Sequence, residues 1–547
     1  MPVGDADAQG ADDAQVRLLL TFRGPDRRDA HRPGAGAFEP VAVASAARRP
    51  HNGRVGYAFD TFLDATGANR YDDDALLATL LDRYAGASPA RDADLSRFGA
   101  RVAGPLARLA DESAQPANAP TLRQYDAWHR RVDEIVLPAS TKAALAEVAG
   151  AERLGVLHGD RFAFYAKTYL AHQNGEAGVA CSLACTDGLS RTLDALGDRP
   201  EHRAALDRMR SSSERRVWHA AQFVTEIQGG SDVGANAVEA RPAGDGAYTL
   251  HGPKWFCSNV NADDFLVSAR PAGAPAGPKG IAIFLVPAYL DRDRGTRNGC
   301  TIDRLKDKLG TRELATAELT FDGAVGWPIG PLDRGLPNLV DLVLVTSRMA
   351  CVLHAAASLR QAERIARAYA TFRTAFGRPI ADFAPVRRTI ESIALARERS
   401  LAVAFELVRL WPSPDGTHDA ADFRVLLSLA KPVITQRASM LLHEAVMLLG
   451  ANGIEERFSP LPRLYRDAAV METWEGPHNV LHAQAHRDIT RLALDVGDFA
   501  HRVAGRADDA LIAALRRATG GGAPAMLAMP EAAEHVVDAL GDRIRGA

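Results

Sequence analysis

The chain has 547 residues, 47% of them hydrophobic and 24% charged, enough apolar material to bury several cores, so a multi-domain globular protein is expected. A formal net charge of -3 excludes a global pull toward nucleic acid or an anionic membrane. Any such partner requires a local basic patch.

Residues 1–50 are rich in Gly, Ala, Arg and Asp without sustained periodicity, which predicts a flexible tail. No apolar run follows a basic start there, so no secretory leader is expected and a cytoplasmic location follows by default. Residues 51–218 read as an N-terminal helical domain. Leu76, Leu77, Leu80 and Leu81 recur at helical spacing within 72–84, and 161–196 reads as another helical stretch. Cys181 and Cys185 lie four apart and share a helix face. That spacing suits a metal or, more simply, two small buried side chains. With five cysteines and no CxxC pair, neither a disulfide framework nor a metal is assigned.

Residues 219–333 change character and predict a middle β domain. Strands are expected over 238–240 and 248–251, joined as a hairpin, and over 254–258, 264–269, 280–287 and 316–321, with Gly and Pro between them. Helices return in 334–486, read as a four-helix bundle. One runs from 340 to 376 and stops at Gly377-Arg378-Pro379; others cover 383–411 and 420–449. The most apolar stretch, 339–357, is interrupted by Asp341 and Arg348, so no membrane span is expected. A helical C-terminal extension, 487–547, is broken by Gly520, Gly521 and Gly522. The sum is an α+β, mostly helical fold with a β domain between two helical ones.

Four separated motifs carry chemistry. The first is Val224-Thr225-Glu226-Ile227-Gln228-Gly229-Gly230-Ser231-Asp232, hydroxyls flanking a glycine turn. The second is Lys254-Trp255-Phe256-Cys257-Ser258-Asn259, a strand with aromatics and a hydroxyl. The third is Arg373-Thr374-Ala375-Phe376-Gly377-Arg378-Pro379-Ile380, where a guanidinium fork suits phosphate oxygens. The fourth joins Leu449-Gly450-Ala451-Asn452-Gly453-Ile454, Leu464-Tyr465-Arg466-Asp467-Ala468 and Trp474-Glu475-Gly476. Alone, the first three also fit a polar turn, a half-buried edge strand and a solvated arginine at a helix end.

Together and in this order the motifs resemble the acyl-CoA dehydrogenase superfamily: TEPxxGSD, KxWITN, RxxFGxPI and LGGxG…RDA…YEGT. Within it the chain resembles the AidB-like branch of adaptive-response flavoproteins, on Arg304-Leu305-Lys306-Asp307-Lys308-Leu309-Gly310, Val325-Gly326-Trp327, Pro462-Arg463-Leu464-Tyr465-Arg466, Trp474 and Asn479. The resemblance implies an acyl-CoA dehydrogenase-like fold and an FAD cofactor. It implies that Thr225, Ser231 and Ser258 bind the flavin ring and that Phe256 shields it. Arg373 and Phe376 would reach the cofactor diphosphate of a neighbouring subunit, beside Gly450 and Gly453 of the glycine motif. A homotetramer or dimer follows, with an acyl-CoA or related small molecule as substrate and no electron acceptor specified. Glu475 stands where the family keeps the base that removes the α-proton while flavin N5 takes the β-hydride.

The residues around Glu475 add their own signal. It falls between a helix expected to end near Trp474 and one expected to start at Pro477, and Trp474 and apolar neighbours should raise its pKa. Free N–H groups after Pro477 can hold cofactor phosphate, with Asn479 as helper. Three positions depart from the family pattern. Pro477 replaces a hydroxyl residue, Met447 replaces a Gln, and Ala317 aligns with an Arg that neighbours the base, as in AidB-like proteins. The competing readings are an AidB-type DNA-binding protection protein, with flavin partly structural, and a flavin oxidase of the nitroalkane-oxidising kind. Residues 487–547 carry eight Arg, no Lys and nine acidic residues, so a DNA contact there rests on local clusters such as Arg516-Arg517 or Arg543 with Arg545.

Overall fold

The computed structural model describes residues 59–293, 295–412 and 420–546; the tail expected over 1–50 lies outside them. In the N-terminal part, helix α1 (Ala75–Ala85) forms where the leucines repeat. Asp74 caps it by accepting from the Leu77 N–H at 3.2 Å, and Leu77, Leu80 and Leu81 are fully buried. Each buried leucine stabilises the fold by roughly 1.5–3 kcal/mol. The expected stretch over 161–196 is two helices, α2 (Arg161–His172) and α3 (Ala180–Leu196). The break has a tertiary cause. Gly175 and Gly178 take φ of +80° and +71°, and a Cβ on Gly178 would meet Thr141 Cγ2 at 2.6 Å. An antiparallel hairpin, Thr121–Tyr125 with Arg131–Val136, also interrupts this otherwise helical part.

The β layer comprises β1 (Ala220–Phe223), β2 (Glu239–Gly244), β3 (Ala247–Ser258), β4 (Asp264–Pro271), β5 (Ala282–Pro287), β6 (Cys300–Leu305) and β7 (Thr316–Pro328). Pairings run β7–β3–β2–β4–β5 and back from β5 to β7, so five strands close a circuit, with β6 added at β7 and β1 parallel to β4. Closure leaves fewer bare edges and encloses a core of Phe223, Leu250, Phe265, Phe284, Leu319 and Phe321. A second apolar cluster, including Leu189, Leu193, Leu266, Ile283 and Val343, ties this layer to α3 and to the entry of the next helix.

That helix, α4 (Leu344–Phe372), follows a π-turn at Leu339–Val343 and ends four residues earlier than expected. Beyond it, Phe376 (φ +52°) and Gly377 (φ +81°) turn a two-residue hairpin. Helices α5 (Ala384–Leu410) and α6 (Ala420–Leu449) pack on α4, and α7 (Leu461–Met471) and α8 (His478–Arg491) pack on α6. The helices over Leu332–Phe372 and Ala420–Gly453 are long and apolar enough to cross a bilayer, but most of each is buried by protein. The last helix, α9 (Gly522–Arg545), lies against both α5 and α6. Arg399 pairs with Asp538 and Asp542, and Met529, Val536, Val537 and Leu540 are buried.

Candidate active site

Glu475 sits in the link between α7 and α8. Helix α7 ends at Met471, three residues before the expected end, and Pro477 is the N-cap of α8 rather than its first residue. The link reverses through Glu475 (φ +56°) and Gly476 (φ +109°). Two buried cations hold it by its main chain. Arg348 of α4 donates from Nε to the Glu475 carbonyl at 3.0 Å. Lys431 of α6 donates from Nζ to the carbonyls of Glu472 (2.9 Å) and Gly476 (3.0 Å). Burial raises the Glu475 carboxyl above the usual carboxylate range, and Arg348 and then Lys431 pull against that rise. Burial also lowers Arg348, to about 10, and lowers Lys431. The expectation that Ala317 leaves the carboxylate without an arginine is therefore corrected. The cation comes from α4, and Ala317 is buried in the sheet, paired with Cys257.

Glu475 lines a small, partly open cavity. Helix α4 contributes Ser347, Ala350, Cys351 and His354, a stripe at helical spacing. Helix α3 contributes Ala180, Cys181, Ala184 and Cys185, and α2, β1 and the Glu475 link contribute His172, Gln222 and Trp474. Cys181 and Cys185 lie with their sulfurs 3.7 Å apart and pack, with Leu314, against Trp474.

Of the expected flavin contacts on the β layer, Thr225 lies next to this cavity in the chain. Gln222 at the cavity is followed, three residues on, by Thr225, whose carbonyl accepts from Trp255 N–H at 3.0 Å. Glu226 fixes the turn. Its buried carboxylate pairs with Lys254 Nζ at 2.8 Å and accepts from Ala237 and Val238 N–H groups. Burial works to raise its pKa, but Lys254 and these N–H groups hold it below the usual value. A Cβ on Gly230 would come within 2.6 Å of Thr225 Oγ1, so the turn needs glycine there. Ser231 follows on the exposed side. Phe256 presents a ring that is 50% exposed, with Lys306 Nζ 4.6 Å from its centroid.

Ser258 Oγ lies 3.1 Å from Thr316 Oγ1, which accepts from Lys308 Nζ at 2.8 Å. A lysine only donates, so one hydroxyl hydrogen links the two oxygens and the other is left for a ligand. Burial lowers Lys308 to about 8, against the pull of Glu176, Cys181, Asp467 and Glu313. Leu314, two residues before Thr316, belongs with Cys181 and Cys185 to the cluster on which Trp474 packs. A half-exposed aromatic face, a glycine turn filled by any Cβ and a hydroxyl with a proton to spare fit a flat flavin ring.

Other expected residues lie elsewhere. Arg373, just past the end of α4, is 25 residues beyond Arg348, about 38 Å along the axis at 1.5 Å per residue. It is exposed, as is Phe376, at 96%. Gly450 and Gly453 form the turn after α6, tied to this same end by Asn452 Nδ2 donating to Tyr369 OH at 3.1 Å. Arg373, Phe376, Gly450 and Gly453 thus form a second group, apart from Glu475. Asn479 is exposed in the first turn of α8, four residues from Glu475. Arg348, Lys431 and Thr316 were given no site role by the sequence, and Lys308 only a place in a motif. The one signal was Arg348, a charge inside an otherwise apolar run.

Residues 221–324 match the model of the acyl-CoA dehydrogenase middle domain, and 333–490 that of the acyl-CoA dehydrogenase C-terminal domain. Over 438 residues the chain is 32% identical to acyl-CoA dehydrogenase family member 11 of Caenorhabditis elegans, covering 76% of this chain and 69% of that protein. Over 411 residues it is 32% identical to AidB of Escherichia coli, covering 71% of each. The structure of Caenorhabditis elegans ACDH-11 in complex with C11-CoA is similar with a TM-score of 0.79 and 27% identity, covering 92% of this chain and 90% of that one.

Proposed function

The chain belongs to the acyl-CoA dehydrogenase family, FAD-dependent oxidoreductases acting on CH–CH donors, and from that premise we propose that it oxidises an acyl-CoA thioester between its α and β carbons with Glu475 as base. The observation that carries this reading is that Glu475, its pKa raised by burial, lines a pocket whose wall includes Gln222 of β1, three residues before Thr225. FAD, when bound, supplies the acceptor for the β-hydride. Glu475 takes the α-proton. Its raised pKa brings it nearer the acidity a general base needs at neutral pH. Arg348 and Lys431 act on the main chain around it and fix where the carboxylate points. Trp474, the two cysteines and the alanines of α3 and α4 exclude water from the reacting carbons.

Thr225 and Ser258 would hold the flavin ring, with Phe256 against its face and Ser231 at the end of the turn. Arg373 and Phe376 would serve the cofactor of a second copy, which makes the working form a homo-oligomer. Anaerobic addition of acyl-CoAs to the flavin-loaded protein should bleach the flavin absorbance. Glu475→Gln should slow that step by about 10²–10⁴ while keeping FAD. Bleaching at the wild-type rate by the variant would remove Glu475 from the mechanism. The DNA-protection reading draws little from the C-terminal helices, where Arg502, Arg517, Arg543 and Arg545 are held by carboxylates. A gel shift at low salt that weakens as salt rises would revive it.

A further inference from the structure

The cavity at Glu475 is lined by apolar side chains, by the polar pair Gln222 and Ser347, and by two histidines that face each other. His172, the last residue of α2, is 2% exposed, and His354 of α4 is 1% exposed; their ring centroids are 5.1 Å apart. Both line the cavity, and His172 also lines the adjoining one, which extends toward Val148 and Glu176. Both ring nitrogens of His172 and Nε2 of His354 are buried with no hydrogen-bond partner among the described residues. Buried polar groups are nearly always paired, and a neutral imidazole offers one donor and one acceptor. Burial lowers both rings' pKa, that of His354 to about 4, so both are neutral at pH 7.

The position of the pair along α4 says which part of a substrate it meets. His354 is six residues beyond Arg348, which touches the Glu475 carbonyl, so it lies about 9 Å further along the helix axis. A group paired there is past the reacting carbons. A saturated alkyl chain would leave three nitrogens bare. An anionic group would share the cavity with the Glu475 carboxylate. Resting on the dehydrogenase reading above, we infer that the acyl group carries an uncharged hydroxyl or oxo substituent several carbons beyond the β carbon, and that His172 and His354 recognise it.

The test uses the full-length, flavin-loaded protein and chain-length-matched acyl-CoAs: saturated, hydroxy and oxo, with the substituent moved outward from the γ carbon. Anaerobic bleaching gives kcat/KM, and calorimetry on Glu475→Gln gives Kd without turnover. At least one hydroxy or oxo congener is expected to exceed its saturated counterpart by about tenfold or more in both readouts. His354→Leu and His172→Leu should bring the ratio of substituted to saturated congener toward one in both kcat/KM and Kd. If the wild-type protein bleaches and binds with saturated chains as well as with every substituted one, the inference is overturned and the dehydrogenase reading stands. Should no acyl-CoA bleach the flavin or bind the Gln variant, both fall together. The wild-type ranking decides the matter even if a leucine variant fails to fold.

Discussion

Glu475 adopts φ +56°, where a non-glycine residue lies about 1–2 kcal/mol above its right-handed alternative. The bonds from Arg348 and Lys431 to the surrounding carbonyls hold it there. The same cations oppose the effect that sets the direction of the pH profile. Burial lifts the carboxyl, so the proton acceptor exists only above a pKa higher than about 4.3, the usual glutamate value. The rate of flavin bleaching should therefore rise with pH through that raised pKa. Arg348→Met removes the positive charge that most opposes the lift, so the acid limb should move to higher pH. Stopped-flow profiles of the two proteins check this; a limb that stays put or moves down would contradict the assigned electrostatics. Glu475 was legible in the sequence because the motif around it is local. Arg348 was not, because its partner is 127 residues away and its contact is to a backbone oxygen. Lys431 and Lys308 share that blindness: nothing in residue type or spacing shows which carbonyl or hydroxyl a buried lysine will meet.

Elements whose cause is local were read well. The strong helical patterns over 383–411 and 420–449 correspond to Ala384–Leu410 and Ala420–Leu449. Elements whose cause is tertiary were not. The break between α2 and α3 depends on Gly178 fitting against Thr141, and β6 depends on pairing with β7. The glycine turn of the first motif belongs to the second kind, since Glu226 holds it through Lys254 from the neighbouring strand. Removing one partner of a buried pair leaves the other charged and unpaired, at about 3–5 kcal/mol. Glu226→Ala should thus lower the melting temperature and reduce bound FAD, read as the ratio of flavin to protein absorbance. Glu226→Gln, which keeps an acceptor for Ala237 and Val238, should lose less. Equal melting and full flavin in the Ala variant would show that the turn is held by something else.

At the scale of the whole molecule, the order of helices, β layer and helices was visible, but the two-ended distribution of the site residues was not. Arg348 near the start of α4 and Arg373 just past its end cannot serve one point, and linear spacing conceals that until the helix is seen. Arg373 and the exposed ring of Phe376 stand just past the end of α4 that lies away from Glu475. If a second copy supplies Arg373 to the flavin, two lesions on different chains should complement. Arg373→Ala is expected to keep its mass by light scattering but bind FAD at least about tenfold more weakly, the loss of a charge-assisted phosphate contact. Phe376→Ser should shift the mass toward the monomer and lose flavin with it. Glu475→Gln keeps flavin but lacks the base, so neither it nor Arg373→Ala alone should bleach well with acyl-CoA. Refolded together, chains with an intact Glu475 can receive Arg373 from the partner, and a fraction of the bleaching should return. Mixed oligomers that form, as judged by mass, and regain none of it would place Arg373 outside the cofactor site.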